Sequence, residues 1–155
     1  MRKPALNVRR TLVAAAALAA MGPMPAMAAN VTWVGPNASF WDLAANWSSF
    51  PLIASDNLVF GAFNTEFRSG SVSVSDFSGT GALTISGGAL NISAASAIGG
   101  LTMTGGTLDG TGALSISGAS SWTGGGMSGT GSTVFNGALA LGGVGLKDIT
   151  QRTIT

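Results

Sequence analysis

The stretch LTMTGGTLDGTGALSISG, residues 101–118, consists almost entirely of glycine, small polar residues and regularly spaced aliphatic side chains. Its glycines allow two interpretations, a loop that holds a ligand or turns between short strands. Leu101 and Met103 are separated by one residue, and so are Leu114 and Ile116. Apolar residues at every second position, bounded by glycine, predict strands with one buried face. The stretch therefore predicts short strands joined by glycine turns.

The same alternation extends through most of the chain. Further aliphatic residues in this pattern are Val72 and Val74, Leu83 and Ile85, Leu90 and Ile92, Val134, and Leu139 and Leu141. A flexible linker can have a similar glycine and serine content, but it has no reason to space its aliphatic residues in this way. We therefore expect strands here, and no helices.

The strands also recur as a larger unit. The segment GTGALTIS at 79–86 returns as GTGALSIS at 110–117, and GTGSTVF at 129–135 is a weaker third copy. With the related GGLTMTGG at 99–106, the average unit is roughly 15 to 20 residues, the range of repeats that stack into solenoids. Glycine supplies the positive φ angles of the turns. The prediction is an all-β parallel β-helix, or β-solenoid.

The segment from Met1 to Ala28 has the features of a secretory signal peptide. Arg2, Lys3, Arg9 and Arg10 precede the apolar run TLVAAAALAAMG, and the small-residue pattern Ala26-Met27-Ala28 follows. A basic start, a short apolar run and such a site are typical of a cleaved export signal. The run is shorter than the roughly 20 residues of a membrane span. We expect export to the cell surface or the medium, through the periplasm.

The mature chain divides into an aromatic region, residues 29–67, and a Gly/Ser/Thr-rich repeat region, residues 68–155. The aromatic residues of the first region are Trp33, Phe40, Trp41, Trp47, Phe50, Phe60, Phe63 and Phe67. They could close the open first coil of the solenoid by burying a large apolar area. Alternatively, Trp33, Trp41 and Trp47 could form a platform on which a glycan stacks. The sequence favours the cap and leaves the glycan-binding alternative open.

The charge of the mature chain argues against nucleic acid as a partner. Arg68, Lys147 and Arg152 stand against six carboxylates, so three minus six gives a net charge of −3. Nucleic-acid binding depends on basic groups that neutralise phosphates, and no basic cluster is present. The chain also has no cysteine, so packing and backbone hydrogen bonds must stabilise it without disulfides.

The sequence offers little for catalysis. It has no histidine and no cysteine, which excludes a serine–histidine pair and the usual zinc sites. Asp42 and Asp56 are the formal candidates for a two-carboxylate glycosidase, but aspartates beside turns more often accept backbone hydrogen bonds. We therefore expect no enzymatic activity and no cofactor.

Two glycine-rich motifs have simpler explanations than ligand binding. The segment GGGMSG at 124–129 matches the dinucleotide fingerprint, but that site needs a following helix and no helical pattern follows. The segment GGTLDGTG at 105–112 is similar to calcium-binding nonapeptide repeats, which need an aspartate in every turn. Asp109 stands alone, which favours an ordinary turn aspartate.

The N-terminal segments Trp33–Gly35, FWDLAANWS at 40–48 and SDNLVFGAF at 55–63, with the repeats of residues 114–155, carry a family resemblance. The chain resembles bacterial autotransporter-like passengers and extracellular β-helix proteins with a C-terminal Pro-Glu-Pro sorting signal (PEP-CTERM). The resemblance implies a right-handed parallel β-helix displayed on, or released from, a Gram-negative cell. It provides no catalytic residues. Because members carry a C-terminal anchor, we expect the repeats to continue beyond residue 155.

These observations predict a structural or adhesive surface module, with carbohydrate binding as the alternative and polysaccharide processing as a distant third. Extracellular polysaccharide or a host or neighbouring cell surface is the expected partner. The last residues, VGLKDITQRTIT at 144–155, contain no evident cap, and an open strand edge pairs readily with another chain. Lys147 and Arg152 give slight protection, so end-to-end self-association is expected.

The signal peptide predicts a defined N-terminus for the exported protein. Cleavage after Ala28 should leave Ala29 as the first residue, because the small-residue site ends there. Mass spectrometry of periplasmic or secreted protein measures this directly. Exported protein that still begins at Met1 would contradict the prediction.

Overall fold

The computed structural model describes residues 28–155, so the signal peptide expected at 1–28 lies outside the described residues except for its last position. The fold is all-β, with 50% strand and 2% helix. The helical part is a 3₁₀ turn at Ala44–Asn46. No helix of the described part is long and apolar enough to span a membrane.

The strands within residues 28–155 are β1 Asn30–Thr32, β2 Ser39–Phe40, β3 Asn57–Gly61, β4 Thr65–Phe67, β5 Ser71–Val74, β6 Asp76–Gly79, β7 Ala82–Ile85, β8 Ala89–Ile92, β9 Ser96–Ile98, β10 Gly100–Met103, β11 Thr107–Asp109, β12 Leu114–Ile116, β13 Ser120–Trp122, β14 Gly125–Ser128, β15 Ser132–Phe135, β16 Leu139–Leu141, β17 Lys147–Thr150 and β18 Thr153–Ile154.

The strands form three parallel sheets that the chain visits in rotation. Sheet A has the order β1-β3-β6-β9-β12-β15-β18, sheet B the order β2-β4-β7-β10-β13-β16, and sheet C the order β5-β8-β11-β14-β17. After the first coil, each full turn of the chain adds one strand to each sheet, and these strands pair with those of the preceding and following turns. This arrangement is a β-solenoid of about five turns, which confirms the predicted fold class.

The strand register gives the length of one coil. In sheet A, Ser78 pairs with Ala97, Ala97 with Ser115 and Ser115 with Val134. Hydrogen bonds between successive coils show the same spacing. The Leu101 amide donates to Ser120 Oγ across a separation of 19 residues, and Thr111 Oγ1 donates to the Ser93 carbonyl across 18 residues. The coil length therefore lies within the range that the sequence repeats predict.

The core is a set of aliphatic columns that run along the solenoid axis. In sheet C, Val72, Leu90, Leu108 and Met127 lie in one column, and all but the first are fully buried. The six side chains expected to point inward are all buried: Leu83, Ile85, Leu101, Met103, Leu114 and Ile116. Period-two alternation therefore identifies the interior face of these strands correctly.

Two later residues of the alternating series are not in the core. Val134 pairs with Ser115 on the outer face, and Thr133 takes the inward position next to Leu114. Leu141 lies in β16 as expected but is 64% exposed, because no described strand covers the last coil. The alternating pattern therefore predicts both strands correctly, but it wrongly predicts that the side chains of Val134 and Leu141 are buried.

The two most similar sequence repeats are not equivalent in the structure. Residues 79–86 contain β7 of sheet B, whereas residues 110–117 contain β12 of sheet A. Their offset along the chain does not equal a whole number of coils, so the same strand sequence serves two different sheets. The weaker copy at 129–135 contains β15, which pairs directly with β12 and is the true structural repeat.

The aromatic region is continuous with the stack. Strands β1 and β3 begin sheet A, and β2 and β4 begin sheet B, so the solenoid already includes residues 30–67. Between β2 and β3 the chain contributes no strand to sheet C. The 3₁₀ turn and its flanking loops take the place of that strand in the first coil.

The core columns predict how a charge is tolerated at adjacent positions. Leu114 is fully buried and Ser115 is exposed on the outer face of the same strand. Leu114→Asp should lower the free energy of unfolding by several kcal/mol, because it buries an unpaired charge, which approaches the whole stability of a small domain. Ser115→Asp, the matched control, should change it by less than about 1 kcal/mol. Thermal and urea unfolding followed by circular dichroism provide the measurement, and equal stabilities of the two variants would contradict the assigned interior.

Candidate functional site

The three candidate tryptophans lie at the N-terminal end of the solenoid and are all buried. Trp33 and Trp47 meet edge to face with ring centroids 4.9 Å apart, and Trp41 meets Trp47 in the same way at 5.3 Å. Trp41 also contacts the rings of Phe60, Phe67 and Phe77. Edge-to-face contacts are the favoured geometry of packed aromatic rings. The cluster therefore packs as a core.

The indole N–H groups are also satisfied inside the cluster. Trp41 donates to Thr65 Oγ1 at 3.0 Å, Trp47 donates to the Trp41 carbonyl at 2.9 Å, and Trp33 donates to the Pro36 carbonyl at 3.2 Å. A sugar-stacking platform needs exposed, nearly coplanar ring faces. The three tryptophans are 2–5% exposed, and Trp33 and Trp41 each lie nearly perpendicular to Trp47, so their placement supports the cap.

A small pocket opens beside this cluster, where sheet C lacks its first strand. It has a volume of about 190 Å³, and Phe50 and Val72 form part of its mainly apolar wall. Asp42 lies in the lining, and its Oδ2 accepts a hydrogen bond from Arg68 Nη2 at 3.0 Å. The Arg68 guanidinium also lies 3.6 Å from the centre of the Phe40 ring. The carboxylate in the pocket is thus already paired with a cation.

The other candidate carboxylates have local structural partners. Asp56 is buried and its Oδ2 accepts from the Ile53 amide at 2.9 Å, and Asp109 Oδ1 accepts from the Gly110 amide at 2.6 Å. Such contacts with nearby backbone donors are the turn roles expected from the sequence. Within residues 28–155 no three Asp, Glu, His or Cys side chains gather where they could hold a metal ion.

The glycine motif at 124–129 forms β14, which pairs with β11 on one side and β17 on the other within sheet C. The next element is the strand β15. A dinucleotide site needs a helix N-terminus directed at the pyrophosphate, and this position has a strand on both sides instead. Trp122, which precedes the motif, is a core residue.

Arg152 is the residue whose role the sequence did not reveal. The side chain expected to give slight edge protection is buried, with 4% exposure. Its Nη1 donates to the carbonyls of Gly110 and Ser128, and its Nη2 donates to those of Gly112 and Ser132. Its Nε donates to Thr133 Oγ1 at 2.7 Å. One guanidinium therefore joins the same corner of three successive coils.

Gly131, in the preceding coil, makes room for this side chain. A Cβ at Gly131 would lie 3.0 Å from Arg152 Nη1 and 2.2 Å from the Gly112 carbonyl oxygen, so only glycine fits there. Burial lowers the pKa of Arg152, and the nearby Asp109 carboxylate opposes that shift. Because a guanidinium stays protonated in proteins, the group remains a cation held by carbonyl dipoles.

Four apolar side chains near the C-terminal end of the described chain are exposed. Leu141, Leu146 and Ile149 are 64%, 83% and 52% exposed, and Val144 is fully exposed. Ile149 continues the core column of Met127 in sheet C. Strands β16, β17 and β18 are each the last of their sheets. The solenoid interior thus reaches solvent at this end.

Comparison with known proteins identified no relative of this chain. No protein-family model, no curated protein and no solved structure matches the chain.

The Arg152 contacts predict a specific weakness in the last coil. Arg152→Ala should lower the free energy of unfolding by about 2 kcal/mol or more, because it removes the hydrogen bonds of a buried guanidinium to two preceding coils. Amides at this end, Thr153 to the Gly131 carbonyl and Thr155 to the Thr133 carbonyl, should exchange with deuterium faster. Lys147→Ala is the matched control, since that cation bonds loop carbonyls near solvent. Unchanged exchange in Arg152→Ala would contradict the assigned role.

Proposed function

We propose that the chain is an exported structural or adhesive module of a bacterial cell surface, with no catalytic activity. The observation that carries this proposal is the uniformity of the solenoid: three continuous sheets repeat one interior, and their outer faces carry mostly small uncharged residues. The strands of sheet A, spaced about 4.8 Å apart, give a rod about 29 Å long. A uniform rod of this kind suits a spacer or a contact surface on the cell better than it suits an enzyme.

The outer faces support contact with another surface. On sheet B, Thr84, Thr102 and Ser121 lie in one outward column. On sheet C, Ser73, Asn91 and Asp109 do the same. Hydroxyl and amide groups at the strand spacing can exchange hydrogen bonds with the hydroxyls of an extended polymer. Extracellular polysaccharide is the partner that this chemistry favours, and the net charge of −3 on the mature chain, three basic groups against six carboxylates, disfavours polyanions.

Surface location is supported by the N-terminal sequence and by the resemblance to autotransporter-like and PEP-CTERM-type proteins. A chain without cysteine does not depend on the redox state of its compartment. Its buried aliphatic columns and backbone ladders need no cofactor for stability. The fold is therefore compatible with the extracellular location expected from the N-terminal sequence.

Two measurements test the proposal. An epitope-tagged full chain produced in a Gram-negative host should appear outside the inner membrane and be accessible to protease or antibody on intact cells. The matched control lacks residues 2–28 and should stay in the cytoplasm. Equal distribution of the two proteins would contradict export.

The second measurement separates adhesion from catalysis. The mature protein should bind cells or isolated polysaccharides saturably and leave the polymer intact. Thr84→Lys with Thr102→Lys, which places bulk and charge on the outer face of sheet B, should weaken that binding if this face makes the contact. Asn91→Lys with Ser73→Lys makes the same change on sheet C and shows which face is used. Appearance of new reducing ends in the polysaccharide would contradict a non-catalytic role.

A further inference from the structure

The pocket beside the tryptophan cluster lies where one core column of the solenoid begins. In sheet C the column that contains Leu90 and Leu108 starts at Val72. Leu90 and Leu108 are fully buried, whereas Val72 is only partly buried and lines the pocket. Trp41 and Phe50 also line it, and they belong to the segment between β2 and β3 that contributes no strand to sheet C. Two segments of the described chain therefore form the pocket, and neither chain end is needed for it.

The size of the pocket suits one six-membered ring. Its volume is about 190 Å³, and a cavity of about 150 Å³ can hold one benzene molecule. Drug-sized ligands need pockets of roughly 300–1,000 Å³, so a larger ligand could place only one ring here. The ring of Phe50 is 46% exposed and offers such a ligand an aromatic face.

Two polar groups of the lining are available to a ligand. Asp42 Oδ2 accepts hydrogen bonds from Arg68 Nε and Nη2 at 3.2 and 3.0 Å, while Oδ1 accepts none from the described chain. The Gly70 carbonyl accepts from the Ala89 amide of β8 at 2.9 Å. Because the C=O and N–H groups of a trans peptide point in opposite directions, the Ser71 N–H points away from β8. The pocket therefore offers one acceptor and one donor.

The ion pair determines which ligand charge suits the pocket. The Arg68 guanidinium lies 3.6 Å from the centre of the Phe40 ring and is bonded to Asp42, so the pair is held in place and carries no net charge. A cation finds its carboxylate already neutralised, and an anion meets the free oxygen of Asp42. The pocket therefore suits a neutral ring that has hydroxyl groups and an apolar face.

We propose that this pocket binds a single pyranose ring of an extracellular polysaccharide. The C–H groups of the sugar stack on the Phe50 ring, because burial of apolar surface against an aromatic face is favourable. One sugar hydroxyl donates to Asp42 Oδ1 and another accepts from the Ser71 N–H, since a hydroxyl can do both. This site deepens the proposed surface function, on which it rests for the choice of a polysaccharide as the partner.

Titration of the mature protein with methyl glycosides tests the site directly. The probes are the methyl pyranosides of glucose, galactose, mannose and N-acetylglucosamine, and amide shifts in proton–nitrogen NMR spectra show where they bind. At least one should shift the amides of residues 69–72, with a dissociation constant on the order of 1 mM for about a dozen heavy atoms. Tetrahydropyran, the same ring without hydroxyls, should bind at least about tenfold more weakly, because it cannot donate to the carboxylate.

Two phenylalanines provide a matched pair of variants. Phe50 and Phe63 are 46% and 42% exposed, and Phe50 lines the pocket while Phe63 does not. Phe50→Ala should weaken glycoside binding about fivefold or more, because the stacking face is lost, and Phe63→Ala should leave it unchanged. Val72→Phe fills the pocket from the core column and should abolish binding. Circular dichroism shows whether each variant keeps its fold.

Glycoside shifts at residues 69–72 that weaken in Phe50→Ala and persist in Phe63→Ala support the proposal. No shift with any of the four glycosides, shifts confined to another surface, or equal binding of tetrahydropyran would overturn it. The two proposals fail separately. Cell binding without any glycoside binding would overturn the pocket alone, whereas glycoside binding by a protein that is not exported and does not bind cells would overturn the surface function alone.

Discussion

Parallel hydrogen bonding between successive coils is the constraint on which the rest of this structure depends. It holds neighbouring strands about 4.8 Å apart at every point of the circuit, including the corners where the chain turns. At the corner before sheet C, Gly88 and Gly106 stack with φ angles of +74° and +65°. A Cβ at Gly88 would lie 2.6 Å from the Gly70 carbonyl oxygen, and one at Gly106 would lie 2.7 Å from the Gly87 carbonyl carbon. Gly106, one of the glycines that first suggested a ligand loop, is therefore needed for both its backbone angle and the close approach of the neighbouring coil.

The same constraint explains which parts of the fold the sequence reveals. Alternation identifies a strand and its buried face, as at Leu101 and Met103, because one face of each strand must meet the core. It fails at Val134, where Thr133 takes the inner position and its hydroxyl accepts a hydrogen bond from buried Arg152. It also does not assign a strand to a sheet, since all three sheets present similar surfaces. The near-identical segments at 79–86 and 110–117 therefore suggested a repeat that the structure does not contain.

Some features of the candidate sites could likewise be predicted from the sequence, and others could not. The tryptophans were recognisable as a functional or structural cluster from composition, but a cap and a platform use the same residues, and only ring orientation and burial distinguish them. Arg152 gave no signal, because its role depends on Gly131 and Gly112, which lie one and two coils earlier in the chain. A sequence motif for such a contact would have to include the coil length, which is not constant along the stack. The turn roles of Asp56 and Asp109 were predictable because their partners are local.

The contacts of Arg152 also affect how the rod would respond to mechanical load. A parallel solenoid pulled from one end can lose its terminal strand first, since each strand bonds only to its neighbours in the stack. Here the guanidinium ties the terminal corner to carbonyls of the two preceding coils, so separating β18 requires that all the hydrogen bonds of one buried group break together. Peeling from this end would begin with a single high-force event. The solenoid would therefore resist stepwise unravelling from this corner under tension.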